Sequence, residues 1–169
     1  MRFTTKSAEE TQALAKKLLP ELLQARIVCL KGDLGAGKTT FVKGIARALG
    51  VEEVVKSPTY TYVNIYSVPL KIKKPRNEGV ILSLPKESGS EGASSSFPRF
   101  LIHYDLYRLP ENVENPQLVA AEIGLEEALE NPAALVVIEW AERLRMSEEA
   151  LLISFETQGK KRIMTIFEA

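Results

Sequence analysis

The stretch Gly32-Asp33-Leu34-Gly35-Ala36-Gly37-Lys38-Thr39 decides the fold, because it satisfies G-x-x-x-x-G-K-[ST] at every fixed position. A loop of this kind turns backbone N–H groups inward around a phosphate, and glycine supplies the dihedrals and clearance that demands. A helix must follow, presenting its positive N-terminal end to the same anion. Lys38 then reaches the β- and γ-phosphates as a point charge, and the Thr39 hydroxyl takes a magnesium position. Gly32, Asp33, Leu34, Gly35, Ala36, Gly37, Lys38, Thr39 and the adjoining Thr40 are the candidate nucleotide-contacting positions. The ligand expected is a purine nucleoside triphosphate, ATP with Mg2+.

The flanks agree. Ile27-Val28-Cys29-Leu30 is a short apolar run of the kind found in a strand buried on both sides. After the loop, Phe41, Ile45, Ala48 and Leu49 form the inner face of a helix that Gly50 stops. Further out, Ser7-Ala8-Glu9-Glu10 reads as a capping box, with Thr11, Leu14, Ala15, Leu18, Leu19 and Leu22 at helical spacing behind it. Tyr60 to Val68 reads as a long strand and Phe100 to Tyr107 as another. Gln117 to Glu130 is helical with an interruption at Gly124. Leu135-Val136-Val137-Ile138 is a further buried strand, ending in Glu139-Trp140. The tail pairs Leu151 to Glu156 with Arg162 to Glu168 as a hairpin around Thr157-Gln158-Gly159-Lys160. The expected fold class is α/β: a single three-layer P-loop NTPase-like domain over 1–169, with a central mixed sheet and a C-terminal β-hairpin.

One segment breaks the pattern. Residues 69–98 hold four of the nine prolines, three glycines, the serine-rich run 89–96 and the basic cluster Lys71, Lys73, Lys74 and Arg76. Val80 to Leu84 is strand-like, but the whole reads as an atypical long insertion and a mobile loop.

Composition narrows the function. Lys plus Arg total 22 and Asp plus Glu 22, so no net positive field exists to attract nucleic acid. Cys29 is the only cysteine, which excludes an intramolecular disulfide and zinc clusters. Within its apolar run it reads as a small buried filler rather than a reactive thiol. Met1 to Lys6 lacks the apolar core of a signal peptide, and no apolar stretch is long enough to span a bilayer. No membrane association and a cytoplasmic location are expected.

A phosphate loop needs an acid to hold magnesium or position water. Glu139 follows four apolar residues, the place of a Walker-B acid at the C-terminal end of a strand. A buried acid there would be costly without a cation to pair with. In His103-Tyr104-Asp105-Leu106-Tyr107-Arg108, alternation puts His103, Asp105 and Tyr107 on one face. Asp105 is the candidate water orienter or outer magnesium partner, acting by position rather than proton abstraction. A lone histidine is usually structural, and His103 is not counted in the site. Ser57-Pro58-Thr59-Tyr60-Thr61 lies where P-loop proteins place a first switch. Thr59 could sense the γ-phosphate, or the segment could be an ordinary turn into a strand.

The run from Gly32 to Thr40, with Ser57-Pro58-Thr59-Tyr60, His103 to Leu109 and Ile138-Glu139-Trp140 in that order, resembles the TsaE (YjeE) family. Glu9-Glu10-Thr11 and the closing hairpin also match in order. The resemblance implies a bacterial ATPase, weak alone, that joins the TsaB and TsaD proteins. That complex forms N6-threonylcarbamoyladenosine (t6A) at position 37 of tRNAs reading codons that begin with A. It assigns Lys38 to phosphate, Thr39 and Glu139 to magnesium, Asp105 to hydrolysis, and Ala8 and Lys160 to the neighbourhood of the adenine. Lys160 replaces a family arginine there. Trp140 would report nucleotide or partner binding. The sequence departs from the family at 69–98 and at Ala141, where proline is common. A P-loop small-molecule kinase is the competing reading, but only Arg143 and Arg145 could serve it and no lid signature is present. A GTPase would need a guanine-reading Asn/Thr-Lys-x-Asp sequence, which is missing.

Overall fold

The structure is a computed structural model, and it describes residues 1–69, 97–144 and 150–167. In chain order its elements are β1 (Arg2–Thr5), α1 (Ala8–Lys17), α2 (Leu19–Ala25), β2 (Ile27–Gly32), α3 (Lys38–Ala48), β3 (Val63–Ser67) and β4 (Phe100–Asp105). These are followed by α4 (Pro116–Glu122), α5 (Leu125–Glu130), β5 (Ala134–Glu139), a 3-10 turn (Ala141–Leu144), β6 (Leu151–Gln158) and β7 (Lys161–Phe167).

Seven strands form one mixed sheet in the order β1-β7-β6-β2-β5-β4-β3. The central set β6, β2, β5 and β4 is parallel, while β3, β7 and β1 join it antiparallel. Alternation along the central strands then builds two cores. Val28, Leu30, Leu101, Leu135 and Val137 face the layer of α1, α2 and α3, where Leu19, Leu22, Phe41 and Ile45 are buried. Cys29, Ile102, Tyr104, Val136 and Ile138 face α4, α5 and the 3-10 turn, around Leu106, Leu125 and Leu144. The fold is α/β in three layers, with β6 and β7 as the C-terminal hairpin.

Local chemistry explains the boundaries. Ser7 caps α1 by accepting from Glu10 N, but the Glu10 carboxylate reaches back to Lys6 N rather than to the cap residue. The apolar face from Thr11 to Leu22 is buried except for half-buried Leu14, yet it is split between two helices that meet at Leu18, with Pro20 in the first turn of the second. Helices α1 and α3 pack so closely that a Cβ on Gly44 would lie 2.7 Å from Ala15 Cβ and from Gln12 Cα. The Tyr104 hydroxyl donates to Gly124 O at 2.9 Å and ties β4 to the break between α4 and α5.

Two strands are shorter than the sequence suggests. A turn from Pro58 to Thr61 (Thr61 N to Pro58 O, 3.0 Å) and a positive φ of 64° at Tyr62 delay β3 to Val63. Strand β4 ends at Asp105, whose Oδ1 accepts from Tyr107 N at 3.1 Å and bends the chain. Tyr107 therefore leaves the face it was expected to share with His103 and Asp105, and its ring packs on Trp140 instead. Strand β1, which has no strand signature in the sequence, pairs with β7 from Arg2 to Thr5. The insertion expected at 69–98 lies, from 70 to 96, outside the described residues, as does Arg145.

Candidate nucleotide site

The loop 32–37 leaves the C-terminal end of β2, which lies between two parallel neighbours. Register does the rest: Leu30 pairs with Glu139, and Glu139 with Asp105, so both acids reach the sheet edge from which the loop departs. This is where open α/β sheets bind ligands, beyond the carboxyl ends of adjacent strands. Glu139 and Asp105 share the strand face of Val137 and Leu101, the face that carries α3.

Two glycines are required by the backbone itself. Gly32 has φ 133°, and a Cβ there would stand 2.2 Å from the Phe155 carbonyl oxygen of the neighbouring strand. Gly37 caps α3 with φ 107°, and a Cβ there would meet Arg162 Cδ at 2.9 Å. Asp33, Leu34 and Gly35 are exposed at the tip, whereas Ala36 is buried beneath it. Thr40 is half-buried in the first turn of α3.

Lys38 is buried, and its Nζ donates to Gly32 O at 2.5 Å and Asp33 O at 2.9 Å, across the mouth of the loop. The ammonium also lies 4.0 Å from the centre of the Trp140 ring. Burial pushes its pKa down; Glu139, Glu142, Asp105 and Asp33 oppose that by favouring the charge. Trp140 adopts φ 60°, unusual for a bulky side chain, directly after Glu139. Its N–H donates to Leu30 O at 3.0 Å, which holds the bend against the phosphate-loop strand.

The Thr39 hydroxyl donates to both carboxylate oxygens of Glu139, at 2.8 and 3.1 Å. Glu139 is only 3% exposed, and its Oε1 also lies 2.9 Å from His103 Nε2. Asp105 accepts from Ser57 Oγ and, at 2.7 Å, from Thr59 Oγ1, so the segment 57–59 is moored to the strand end. Lys38, Thr39 and Glu139 thus meet, and Thr59 meets Asp105. Ala8 lies half-buried at the start of α1, and Lys160 is exposed at the hairpin tip. Among the described residues, no hydrogen bond or ion pair joins either to the loop.

Three neighbours of these residues carry little signal in the sequence. His103 has the strand parity of Asp105, which was the available signal, but a single histidine does not advertise a partner. Ser57 lies in the switch-like segment 57–61, where Thr59 carries the signal, and nothing in the spacing marks Ser57 itself as a partner of Asp105. Arg162, against Gly37, is brought there by hairpin register and could not be read from spacing.

The site suits magnesium in kind. Among the described residues no cluster of three or more His, Cys, Asp or Glu side chains could cage a metal. Magnesium bound beside phosphates needs no cage, only one or two protein oxygens with water and substrate. The adjacent oxygens of Thr39 and Glu139 are such a donor set.

The family described as "Threonylcarbamoyl adenosine biosynthesis protein TsaE" matches residues 5–74 and 91–164. The tRNA threonylcarbamoyladenosine biosynthesis protein TsaE of Bacillus subtilis is 32% identical over 161 residues, covering 94% of this chain and 79% of that protein. Its counterpart in Aquifex aeolicus is 30% identical over 159 residues, covering 93% and 89%. The crystal structure of Bacillus subtilis YdiB superposes with a TM-score of 0.59 at 27% identity, covering 98% of this chain and 83% of that one. A phosphate-loop motif alone names a superfamily, but these matches run through both strand-end acids and the closing hairpin, and the chain belongs to the TsaE family of t6A biosynthesis.

Proposed function

We propose that this protein is a magnesium-dependent ATPase that acts with TsaB and TsaD in forming t6A at position 37 of tRNAs. The observation that carries this reading is the bond from Thr39, in the first turn after the phosphate loop, to Glu139, at the end of β5. It couples a phosphate grip to a buried acid, which is what a hydrolytic P-loop site needs and a simple anion site does not.

On this reading the loop N–H groups and the start of α3 hold the phosphates, and Lys38 exchanges its carbonyl partners for phosphate oxygens. Thr39 and Glu139 hold the magnesium, which would neutralise charge on the terminal phosphates. Asp105 orients the attacking water; its bonds to Ser57 and Thr59 give the segment 57–59 a direct link to that position. Ala8 and Lys160 flank the adenine. The balanced charge supports contact with tRNA only through the complex. Among the described residues no helix is long and apolar enough to cross a membrane, and the proposed location is the cytoplasm. The kinase alternative gains nothing from Arg143, which lies over the Trp140 ring and 3.6 Å from Glu111.

The test is Lys38→Ala, which is expected to abolish ATP binding or hydrolysis; undiminished turnover would sink the reading. Wild-type protein is expected to co-purify with TsaB and TsaD and to hydrolyse ATP faster in their presence. Failure to bind them in any nucleotide state would remove the partners while leaving the ATPase.

A further inference from the structure

His103 is fully buried, and among the described residues its side chain makes one polar contact, with the acid of the candidate site: Nε2 lies 2.9 Å from Glu139 Oε1. Its other ring nitrogen, Nδ1, is buried and has no hydrogen-bond partner among the described residues. A carboxylate oxygen can only accept, so Nε2 is the ring nitrogen placed to donate to Glu139, and Nδ1 makes no bond that would hold the ring otherwise. A histidine kept only to fill the core gains nothing from a polar ring that satisfies one nitrogen and strands the other.

Placement explains what the ring accomplishes. His103 lies two residues before Asp105, which is in register with Glu139, so the imidazole reaches diagonally forward from β4 to the end of β5. Glutamate has three side-chain torsions to fix, and Glu139 sits where its strand gives way to a bend. Thr39 alone would leave the carboxylate free to follow its hydroxyl. With His103 donating to Oε1, that oxygen receives two donors and Oε2 only one.

Resting on the reading of Glu139 as the magnesium-site acid, we infer that His103 is a positioning residue, which holds the Glu139 carboxylate in the orientation that receives the cation. Partners behind a metal-binding carboxylate typically govern metal affinity by about 10- to 100-fold. The effect should therefore appear in magnesium dependence and not in the phosphate grip.

The experiment measures binding of a fluorescent ADP to the full chain, once in EDTA and once in saturating magnesium, and takes the ratio of the two Kd values. Wild type should bind more tightly with magnesium. His103→Leu should lower that enhancement by about 10- to 100-fold while leaving binding in EDTA unchanged. His103→Gln, whose amide can still donate to Glu139, should recover most of it. If His103→Leu does not fold, His103→Asn, polar but too short to reach Glu139, carries the same expectation. A folded variant with the wild-type enhancement overturns the inference, and so does an equal loss in both buffers, which marks a purely structural role. Wild-type protein that bound no nucleotide in either buffer would overturn both this inference and the reading beneath it.

Discussion

Replacing Glu139 by Gln separates chemistry from folding at this site. The side chain keeps its shape, and its amide oxygen can still accept from Thr39 and His103, which now bond to Glu139 at 2.8 and 2.9 Å. What disappears is the charge. Hydrogen bonds to charged groups contribute roughly 1.5–3 kcal/mol and neutral ones roughly 0.5–1.5, so two bonds weaken by about 1 kcal/mol each. Relief from burying a carboxylate offsets part of this. Glu139→Gln should therefore cost at most about 2 kcal/mol in urea unfolding. Glu139→Ala strands the buried His103 donor at roughly 1–3 kcal/mol and loses the bond from half-buried Thr39 at roughly 1 kcal/mol, and should cost about 2–4 kcal/mol. Turnover behaves differently. Loss of the acid itself should exceed the effect of its supporting partners, so magnesium-dependent hydrolysis by Glu139→Gln should fall at least ~100-fold. The paired assay is urea denaturation beside ATPase rate against magnesium concentration. A Gln variant as unstable as the Ala variant, yet hydrolysing ATP with normal magnesium dependence, would refute the reasoning and make Glu139 a structural residue.

Two other predictions test the frame around the site. Gly35 has a positive φ but open space about a Cβ, whereas at Gly32 a Cβ would meet Phe155 O at 2.2 Å. Gly35→Ala should thus cost only the roughly 1–2 kcal/mol of a left-handed residue, and Gly32→Ala distinctly more, by denaturation; equal costs would mean that β2 and β6 separate freely. Burial pushes the Cys29 thiol up from its ordinary value of 9.0 to about 11. The folded state then holds its proton while the unfolded chain loses it, so this contribution is complete below pH 9 and is lost as pH rises towards 11. Stability measured over that window should fall more steeply for wild type than for Cys29→Ala, and parallel curves would contradict the burial argument.

Much of this was legible in the residues because local pattern and tertiary outcome agree. Residues 28–30 and 135–138 of the two apolar runs are buried, with Ile27 partly so, and the glycine break at 124 divides two helices as its position in the pattern suggests. The misses share a cause. Strand β1 has too little alternating apolar character to stand out, and only β7 beside it makes it a strand. The early end of β4 depends on a side-chain bond from Asp105 to the Tyr107 backbone, which periodicity does not register.

What the sequence determined by itself was the phosphate loop, its strand and helix, and the two acids at strand ends. Those follow from short-range rules: glycine dihedrals, helix capping and burial of apolar runs. Only the tertiary structure decided which groups meet. The register of β2, β5 and β4 brings Thr39 to Glu139 across a hundred residues of chain and sets His103 behind the acid. It also moors Ser57 and Thr59 to Asp105 and lays Arg162 against Gly37. Strand pairing is chosen by packing of the whole sheet, so contacts that depend on it cannot be read from spacing along the chain.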